Sequence, residues 1–184
     1  MDSRLYLCSQ SESRALLLHE AGIDFEQKPV DFDEDRITTT VAKDFVYHAS
    51  KGKLEAAERL YGLKTPLLCA DSVIATTEGE ILRKPKDVDD AKRILSLQSG
   101  AQISIVSGVH YKRKERLFID VSATHYRFAP FDPDDLEAYL ASGAWQGKAG
   151  GCMVEGFCKK YIQEVIGYES TARGLQVEIL KPWL

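Results

Sequence analysis

The stretch LYLCSQSESRALLLHEAG, residues 5–22, decides the fold of this chain. Its apolar beginning predicts a short strand over Arg4–Cys8. Its leucine-rich part predicts a helix over Ser13–Ala21 that ends at Gly22. A strand that enters a helix through a polar turn is a typical unit of an α/β protein, so the remaining sequence is expected to build a sheet around this unit.

The downstream sequence alternates between strand-like and helix-like periodicity. Predicted strands are Phe25–Val30, Leu67–Thr76, Ile81–Arg83, Ile103–Tyr111 and Leu117–Arg127, and predicted helices are Val41–Leu60 (interrupted or bent near Gly52), Asp87–Leu97, Asp132–Leu140 and Phe157–Ile166. The turns TEGE and KRKE would each close a hairpin. The sequence therefore predicts an α/β fold with a mixed sheet and flanking helices, in a single domain of residues 1–184.

Composition narrows the class of protein. The chain has 184 residues, of which 44% are hydrophobic and 28% charged, as in ordinary globular proteins. Its net charge of -4 argues against an extended nucleic-acid footprint, although a small anion could still bind locally. No apolar run is long enough for a membrane span, and no leader-like segment is evident. The four cysteines form no C-x-x-C pair, so we expect reduced thiols and a cytoplasmic protein.

The polar turn after the first strand has two interpretations. Ser9 and Glu12 have the spacing of a capping box, which would satisfy free N–H groups at the helix start. The same turn would present N–H groups at the positive end of a helix dipole, a ready site for phosphate oxygens, with Arg14 as a cationic partner. The turn lacks the glycine pattern of a Walker A loop or a Rossmann fingerprint.

Other charged residues stand where charge is unexpected. Asp71 lies within LLCADSVIA, which otherwise reads as a buried strand, so it needs a salt bridge, a metal or a catalytic role. Lys84, just past the predicted hairpin, could return to Asp71 or bind phosphate. The acidic run DFDED, residues 31–35, is either a solvated loop or part of a metal site. Lys148 in GKAGG lies either in a flexible turn or where glycines allow a ligand close to the backbone.

Taken in order, these pieces resemble the Maf family, also called septum-formation inhibitor proteins, which are nucleoside triphosphate pyrophosphatases. The matching stretches are LYLCSQSESRALL, FEQKPVDFDED, ADSVIATTEGEILRKPKD, SGAQISIVSGV, LEAYLASG, KAGG and EGF. The resemblance implies two lobes around a nucleotide-binding cleft, as in Maf and ITPase-like folds. It also implies dependence on Mg²⁺ or Mn²⁺ and hydrolysis of a nucleoside triphosphate to the monophosphate and pyrophosphate. Whether the protein forms a homodimer is left open.

The resemblance also implies roles for individual residues. Ser9, Ser11, Arg14 and Lys148 would bind substrate; Asp71, Lys84 and Lys53 would be catalytic; and Glu34 and Asp71 would hold the metal. Two departures stand out. Glu12, Ser13 and Arg14 stand where the family usually has proline followed by two cationic residues or by an aromatic and a cationic one, and TARGLQV replaces the usual ending near VVGLPL. These departures leave a weakly active, nucleotide-binding regulator of septum formation as an alternative.

Base preference is the narrowest prediction. Glu155 and Phe157 in VEGF resemble the branch that acts on 7-methyl-GTP, and Ile103 and Ser104 stand where the pyrimidine branch usually has a histidine and an acidic or amide residue. A carboxylate can accept the guanine N1–H and 2-amino hydrogens, and an aromatic face favours a cationic ring. The alternative function is a pyrimidine (dTTP or UTP) pyrophosphatase. The alternative interpretation of the two residues is purely structural: Glu155 would cap the following helix and Phe157 would lie in the core.

Overall fold

A seven-stranded mixed sheet forms the centre of the computed structural model, which describes residues 4–184. The strands are β1 Leu5–Leu7, β2 Phe25–Gln27, β3 Leu67–Thr76, β4 Ile81–Leu82, β5 Gln102–Arg113, β6 Arg116–Phe128 and β7 Ile162–Ile166. The helices are α1 Glu12–Glu20, α2 Ala42–Tyr61, α3 Val88–Gln98, α4 Pro133–Ser142, α5 Glu169–Ala172 and α6 Val177–Leu180. Short 3-10 turns lie at Glu34–Arg36, Ala149–Gly151, Phe157–Tyr161 and Lys181–Trp183.

The sheet combines a parallel end with an antiparallel body. Its strand order is β2-β1-β3-β5-β6-β7, with β4 paired to β3. β1 runs parallel to both β2 and β3, whereas β3, β5, β6 and β7 pair antiparallel. The predicted α/β class and mixed sheet are therefore confirmed. Because β1 lies beside β3, the turn that follows β1 comes close to the middle of β3, where Asp71 pairs with Gly108 of β5.

Helix α2 crosses the sheet at very short range. A Cβ atom on Gly108 would lie 2.6 Å from the Val46 carbonyl oxygen, so the glycine is what permits this approach. The helix is continuous through Gly52, so the predicted interruption there is wrong. A Cβ on Gly52 would lie 2.1 Å from the Phe32 ring, and the glycine instead accommodates that ring against the helix. The acidic segment that contains Phe32 is thereby packed onto α2.

The hydrophobic core is divided. One large cluster contains Ile74, Leu95, Phe128 and Tyr139 and joins α3, α4 and the distal part of the sheet. A second contains Leu7, Leu18, Leu68 and Leu175 and joins β1, α1 and the C-terminal helices. The predicted cleft lies between these two lobes, since its walls include α1 on one side and Cys152 of the first cluster on the other.

The predicted helix Phe157–Ile166 is wrong. Phe157–Tyr161 form a 3-10 turn, and Ile162–Ile166 form the edge strand β7 against β6. The β-branched residues of the sequence IQEVI pack on a pleated surface more readily than in a helix, and pairing with β6 satisfies their backbone groups. Other boundaries agree within a few residues, and Asp132 and Gly143 cap α4. Within residues 4–184 no helix is long and apolar enough to cross a bilayer.

Candidate active site

The polar turn between β1 and α1 is closed by serine side chains. Ser11 is the helix N-cap: its Oγ accepts a hydrogen bond from the Arg14 backbone N–H at 3.4 Å. Ser9 Oγ accepts from the Ser11 N–H at 3.2 Å and from Arg14 Nη1 at 3.0 Å. The predicted capping box of Ser9 and Glu12 is therefore wrong, because the helix begins at Glu12 and the cap is Ser11.

Arg14 is buried and is held by distant parts of the chain. Its Nε donates to the Gly174 carbonyl oxygen at 2.9 Å, and its Nη2 donates to Ser72 Oγ at 3.1 Å. The Ser72 hydroxyl lies 2.7 Å from Ser107 Oγ, whose own hydrogen goes to the Thr171 carbonyl oxygen. Ser72 must therefore donate to Ser107, which leaves its lone pairs for Arg14. This chain of hydrogen bonds fixes the guanidinium, and desolvation by burial lowers its pKa.

The Lys53 ammonium bridges two carboxylates. Nζ lies 2.5 Å from Asp71 Oδ1 and 2.7 Å from Glu34 Oε1. Arg83 donates to the second oxygen of Glu34 at 3.1 Å and to Asp35 at 2.7 Å, and these contacts anchor the acidic turn. Asp71 Oδ2 is buried and has no hydrogen-bond partner among residues 4–184. Helix α2, strand β3 and the acidic turn thus converge on one point, where an acceptor atom is left over.

The two carboxylates differ in acidity. Burial raises the pKa of Asp71, and the neighbouring Glu34 carboxylate adds to the rise, although Lys53 and Arg14 oppose it. Burial would also raise the pKa of Glu34, but the charge and hydrogen bond of Lys53, with Lys84 and Arg83, lower it to about 2. Asp71 is accordingly the better proton acceptor of the pair, and Glu34 stays ionised at any physiological pH.

Two further lysines face the same space. Lys84 has no hydrogen bond or ion pair among residues 4–184, and desolvation, with the charges of Arg14 and Lys53, lowers its pKa. Lys148 Nζ lies 3.4 Å from Ser13 Oγ and 3.7 Å from Glu155 Oε1. Lys148 therefore brings a positive charge to the serine turn at Ser13.

A cavity of about 340 Å³ collects most of the predicted residues. Its walls include Ser9, Ser11, Arg14, Glu34, Lys53, Lys84, Lys148 and Glu155. Asp71 lines an adjoining pocket of about 470 Å³ that shares Glu34, Ser72 and Lys84 with the cavity. Among the residues predicted to bind substrate, to hold the metal or to act in catalysis, Phe157 alone lines neither of these two spaces. The arrangement places fixed cations beside an acidic pair, which suits a polyanionic substrate and phosphoryl chemistry.

Phe157 requires a correction. Its ring stacks on Tyr139 with centroids 4.4 Å apart and planes 5° apart, within the cluster that includes α4. Since this contact occupies a face of the ring, Phe157 does not stand against a base in the cavity. Ile103 and Ser104 also lie elsewhere: Ile103 is buried in β5, and Ser104 Oγ lies 2.7 Å from His125 Nδ1. Ile105 is the β5 residue that lines the cavity.

Sequence reasoning missed Ser72 and Arg173. Ser72 follows Asp71 in β3, so the alternation of a strand puts it on the opposite face, toward Arg14. That alternation could have revealed it. Arg173 lines the cavity beside Gly174, and its only sequence signal is the departure TARGLQV.

Comparisons with known proteins agree with this geometry. A family model described as Maf-like protein matches residues 4–184. A nucleoside triphosphate pyrophosphatase of a Nitratiruptor species is 54% identical over 176 residues, 95% of each chain. One of Helicobacter pylori is 40% identical over 174 residues, 95% of this chain and 91% of the relative.

Among solved structures, a HAM1 protein from Coxiella burnetii aligns with a TM-score of 0.46 and 15% identity, covering 68% of this chain and 73% of that one. The fold assignment rests on the strand order given above. The family model spans every residue of the cavity, and each of the two relatives aligns with 95% of the chain. The chain therefore belongs to the Maf family.

Proposed function

We propose that this protein is a nucleoside triphosphate pyrophosphatase, which hydrolyses its substrate to the monophosphate and pyrophosphate. The observation that carries the proposal is the meeting of the buried Arg14 turn with the Lys53-bridged carboxylates in and beside one cavity. The names of the relatives support the same activity. Both parts of the site are needed. The Arg14 turn would hold the polyphosphate, and the Lys53-bridged carboxylates would promote the attack of water on it.

The residues present fit a divalent cation that is shared with substrate. Among residues 4–184 no group of three or more histidine, cysteine and acidic side chains could hold a metal ion alone. Mg²⁺ commonly uses one or two carboxylates and takes its other ligands from phosphates and water. Glu34 and Asp71 provide such a pair, and the unpartnered Asp71 Oδ2 shows that the Asp71 carboxylate has acceptor capacity beyond its contact with Lys53. When bound, Mg²⁺ or Mn²⁺ would stabilise negative charge on the phosphate oxygens.

Side chains of the protein would accept the proton of the attacking water and stabilise the charge of the leaving group. Asp71 Oδ2 accepts a proton from a water that attacks the α-phosphorus, and its raised pKa suits it to that role. The new phosphorus–oxygen bond forms as the bond from the α-phosphorus to the bridging oxygen breaks. Arg14 and Lys84 stabilise the charge on the departing pyrophosphate, and Lys53 holds Asp71 in place.

A multiple-turnover assay tests this proposal. Pyrophosphate and monophosphate are measured with a nucleotide panel and Mg²⁺, and many turnovers per protein molecule are expected. The alternative, a weakly active nucleotide-binding regulator, is favoured by Glu12 at the start of α1 and predicts binding without accumulation of product. Binding and turnover measured on the same preparation separate the two functions.

For the base, we propose a preference for 7-methyl-GTP, now supported by Glu155 alone. Its carboxylate lines the cavity and lies 3.7 Å from Lys148, which also contacts Ser13. From there the carboxylate could accept hydrogen bonds from the guanine edge. The comparison is kcat/KM for 7-methyl-GTP, dTTP and UTP in the unmodified protein and in Glu155→Gln. A preference for 7-methyl-GTP that weakens in the variant supports the proposal, and equal or better use of dTTP or UTP by the unmodified protein contradicts it.

A further inference from the structure

Arg173 is a cavity residue to which the preceding sections assign no role. Its side chain is only 11% exposed, it lines the cavity between Ala172 and Gly174, and its Nε is buried without a hydrogen-bond partner among residues 4–184. The following residue, Gly174, supplies the carbonyl oxygen that holds Arg14. Arg173 therefore stands beside the innermost cation of the proposed phosphate site.

The guanidinium of Arg173 is tied to the rim of the cleft by exposed acids. Nη1 and Nη2 donate to the two carboxylate oxygens of Glu20 at 2.9 and 3.1 Å, and Nη1 lies 3.8 Å from Glu169. The Glu20 side chain is 49% exposed and that of Glu169 is 58% exposed. Because these two carboxylates are well solvated, water could hydrate them once a polyphosphate displaced them from the largely buried arginine.

The charge balance of the cavity makes the arginine important. The cationic lining residues are Arg14, Lys53, Lys84, Lys148 and Arg173, and the acidic ones are Asp31, Glu34 and Glu155. Asp71 adds a further carboxylate from the adjoining pocket. Without Arg173 the excess of cations over carboxylates among the residues that line the cavity would fall from two to one.

The neighbours of Arg173 indicate which part of a substrate it would meet. Glu20 and Ser13 are seven residues apart on α1, so they lie on the same face of the helix, two turns from each other. Ser13 lines the cavity at the serine turn and is contacted by Lys148. A guanidinium released by Glu20 would stay next to Gly174, whose carbonyl oxygen holds Arg14, so it would meet the part of a substrate that Arg14 binds.

We propose that Arg173 is a phosphate-binding residue that Glu20 holds at the cleft rim until a polyphosphate takes its place. The inference rests on the proposed function only in that the polyphosphate is part of a nucleotide. The planar guanidinium can bind carboxylate or phosphate oxygens in the same bidentate manner, so exchanging Glu20 for phosphate preserves its hydrogen bonds.

The test compares the two halves of the ion pair. Affinity for inorganic tripolyphosphate is measured by calorimetry, and KM by pyrophosphate release, for Arg173→Gln, Glu20→Gln and the double variant. We expect Arg173→Gln to weaken binding about 10- to 100-fold, as for loss of a hydrogen bond to a charged group. We expect Glu20→Gln to tighten binding about 2- to 5-fold, and the double variant to lose that gain.

Glu12→Gln is the matched control for simple loss of negative charge, because Glu12 lies on the same helix and nearer the serine turn. Its effect should add to that of Arg173→Gln, whereas the effect of Glu20→Gln should depend on Arg173. Arg173→Lys retains the charge without the planar fork and should recover only part of the affinity.

Three results would overturn the inference: tripolyphosphate affinity unchanged in a folded Arg173→Gln, weaker binding in Glu20→Gln, or a Glu20→Gln gain that persists without Arg173. The first two would make the ion pair a structural tie between α1 and the C-terminal segment. If Arg173→Gln does not fold, Glu20→Gln decides alone, since tighter binding supports the inference and unchanged binding contradicts it. Turnover by the unmodified protein tests the pyrophosphatase proposal separately, because tripolyphosphate binding does not require hydrolysis of a nucleotide.

Discussion

Lys53 Nζ lies 2.5 Å from Asp71 Oδ1, and the same ammonium contacts Glu34 at 2.7 Å. One cation therefore holds together the two carboxylates that are candidates for metal and water. In this state the ammonium lies between the two carboxylates, so a divalent cation bound there would compete with Lys53 for the same acceptor atoms.

Replacing Asp71 by asparagine should abolish most turnover while leaving nucleotide binding largely intact. Asparagine can still accept a hydrogen bond from Lys53 but cannot take a proton from water, and loss of a general base typically lowers kcat by about 10²- to 10⁴-fold. Pyrophosphate release measures kcat, and calorimetry measures binding. Asp44→Asn, an exposed change on α2, is the control. Wild-type turnover in Asp71→Asn would rule out the assigned role.

Replacing Lys53 by methionine should destabilise the protein by about 3–5 kcal/mol, because it leaves a buried carboxylate without its partner. The Lys53 and Asp71 side chains are 13% and 5% exposed, so water does little to compensate. Mg²⁺ should then raise the free energy of unfolding more in this variant than in the unmodified protein, since both carboxylates are released. Urea unfolding with and without Mg²⁺ provides the measurement.

Lys51→Met is the matched control for that experiment. Lys51 lies on the same segment of α2, but its partner Glu55 and its own side chain are about half exposed. Its loss should cost less than about 1 kcal/mol and leave the response to Mg²⁺ unchanged. An equal Mg²⁺ response in the Lys53 variant and the unmodified protein would argue against a metal at these carboxylates.

Stability should fall as the pH drops from about 6.5 to about 4 because of His110. Its imidazole is buried in β5, and burial lowers its pKa from 6.5 to about 4. Ser50 Oγ donates to the Val46 carbonyl oxygen, so His110 Nδ1 donates to Ser50 Oγ and Nε2 is the site that titrates. Between these pH values the unfolded chain binds a proton that the folded chain does not, so unfolding is favoured by up to about 3 kcal/mol.

His110→Asn should remove that part of the pH dependence. The asparagine amide can reach the position of Nδ1 and keep the contact with Ser50, but it does not titrate. His48→Asn, an exposed change on α2, should leave the dependence unchanged. The free energy of unfolding is measured in urea at pH values from 4 to 7, and an unaltered slope in His110→Asn would assign the titration to other groups.

Removing the Ser72 hydroxyl should weaken substrate binding through Arg14. In Ser72→Ala the buried Nη2 loses its acceptor, and an unsatisfied buried donor costs about 1–3 kcal/mol. Misplacement of the guanidinium should raise KM several-fold with a smaller effect on kcat. Ser72→Thr retains the hydroxyl and should restore KM, and Ser104→Ala, on β5 beside His125, is the control. A lowered melting temperature with unchanged KM would indicate a role in stability alone.

How well the sequence predicts a feature of this structure depends on whether neighbouring residues or contacts between distant residues determine that feature. Periodicity located α1, β3 and α4 because their alternation reflects which side chains are buried. It failed at Ile162–Ile166, where the β-branched side chains and the pairing with β6 both favour a strand. Sequence also placed the cap of α1 at Ser9, since a choice between two serines depends on backbone angles that the spacing does not record.

The same distinction between local pattern and distant contacts applies to the candidate site. The unusual carboxylate Asp71 could be found from its apolar surroundings, but its partner Lys53 required the crossing of α2 over Gly108. The family resemblance supplied that lysine where the spacing did not. Phe157 was misplaced because its contact with Tyr139 depends on how the segment after Gly156 folds back onto α4.

The bond from Arg14 Nε to the Gly174 carbonyl oxygen spans 160 residues, and it sets an order of events during protein synthesis. At about 5–20 residues per second, a ribosome needs roughly 8 to 32 s to advance from one partner to the other. Throughout that interval the nascent chain carries the serine turn without the carbonyl that orients its arginine. Nucleotide capture that depends on this orientation of Arg14 must therefore wait until Gly174 has been made, and translation that stops earlier yields a chain with the serine turn but without the carbonyl that orients its arginine.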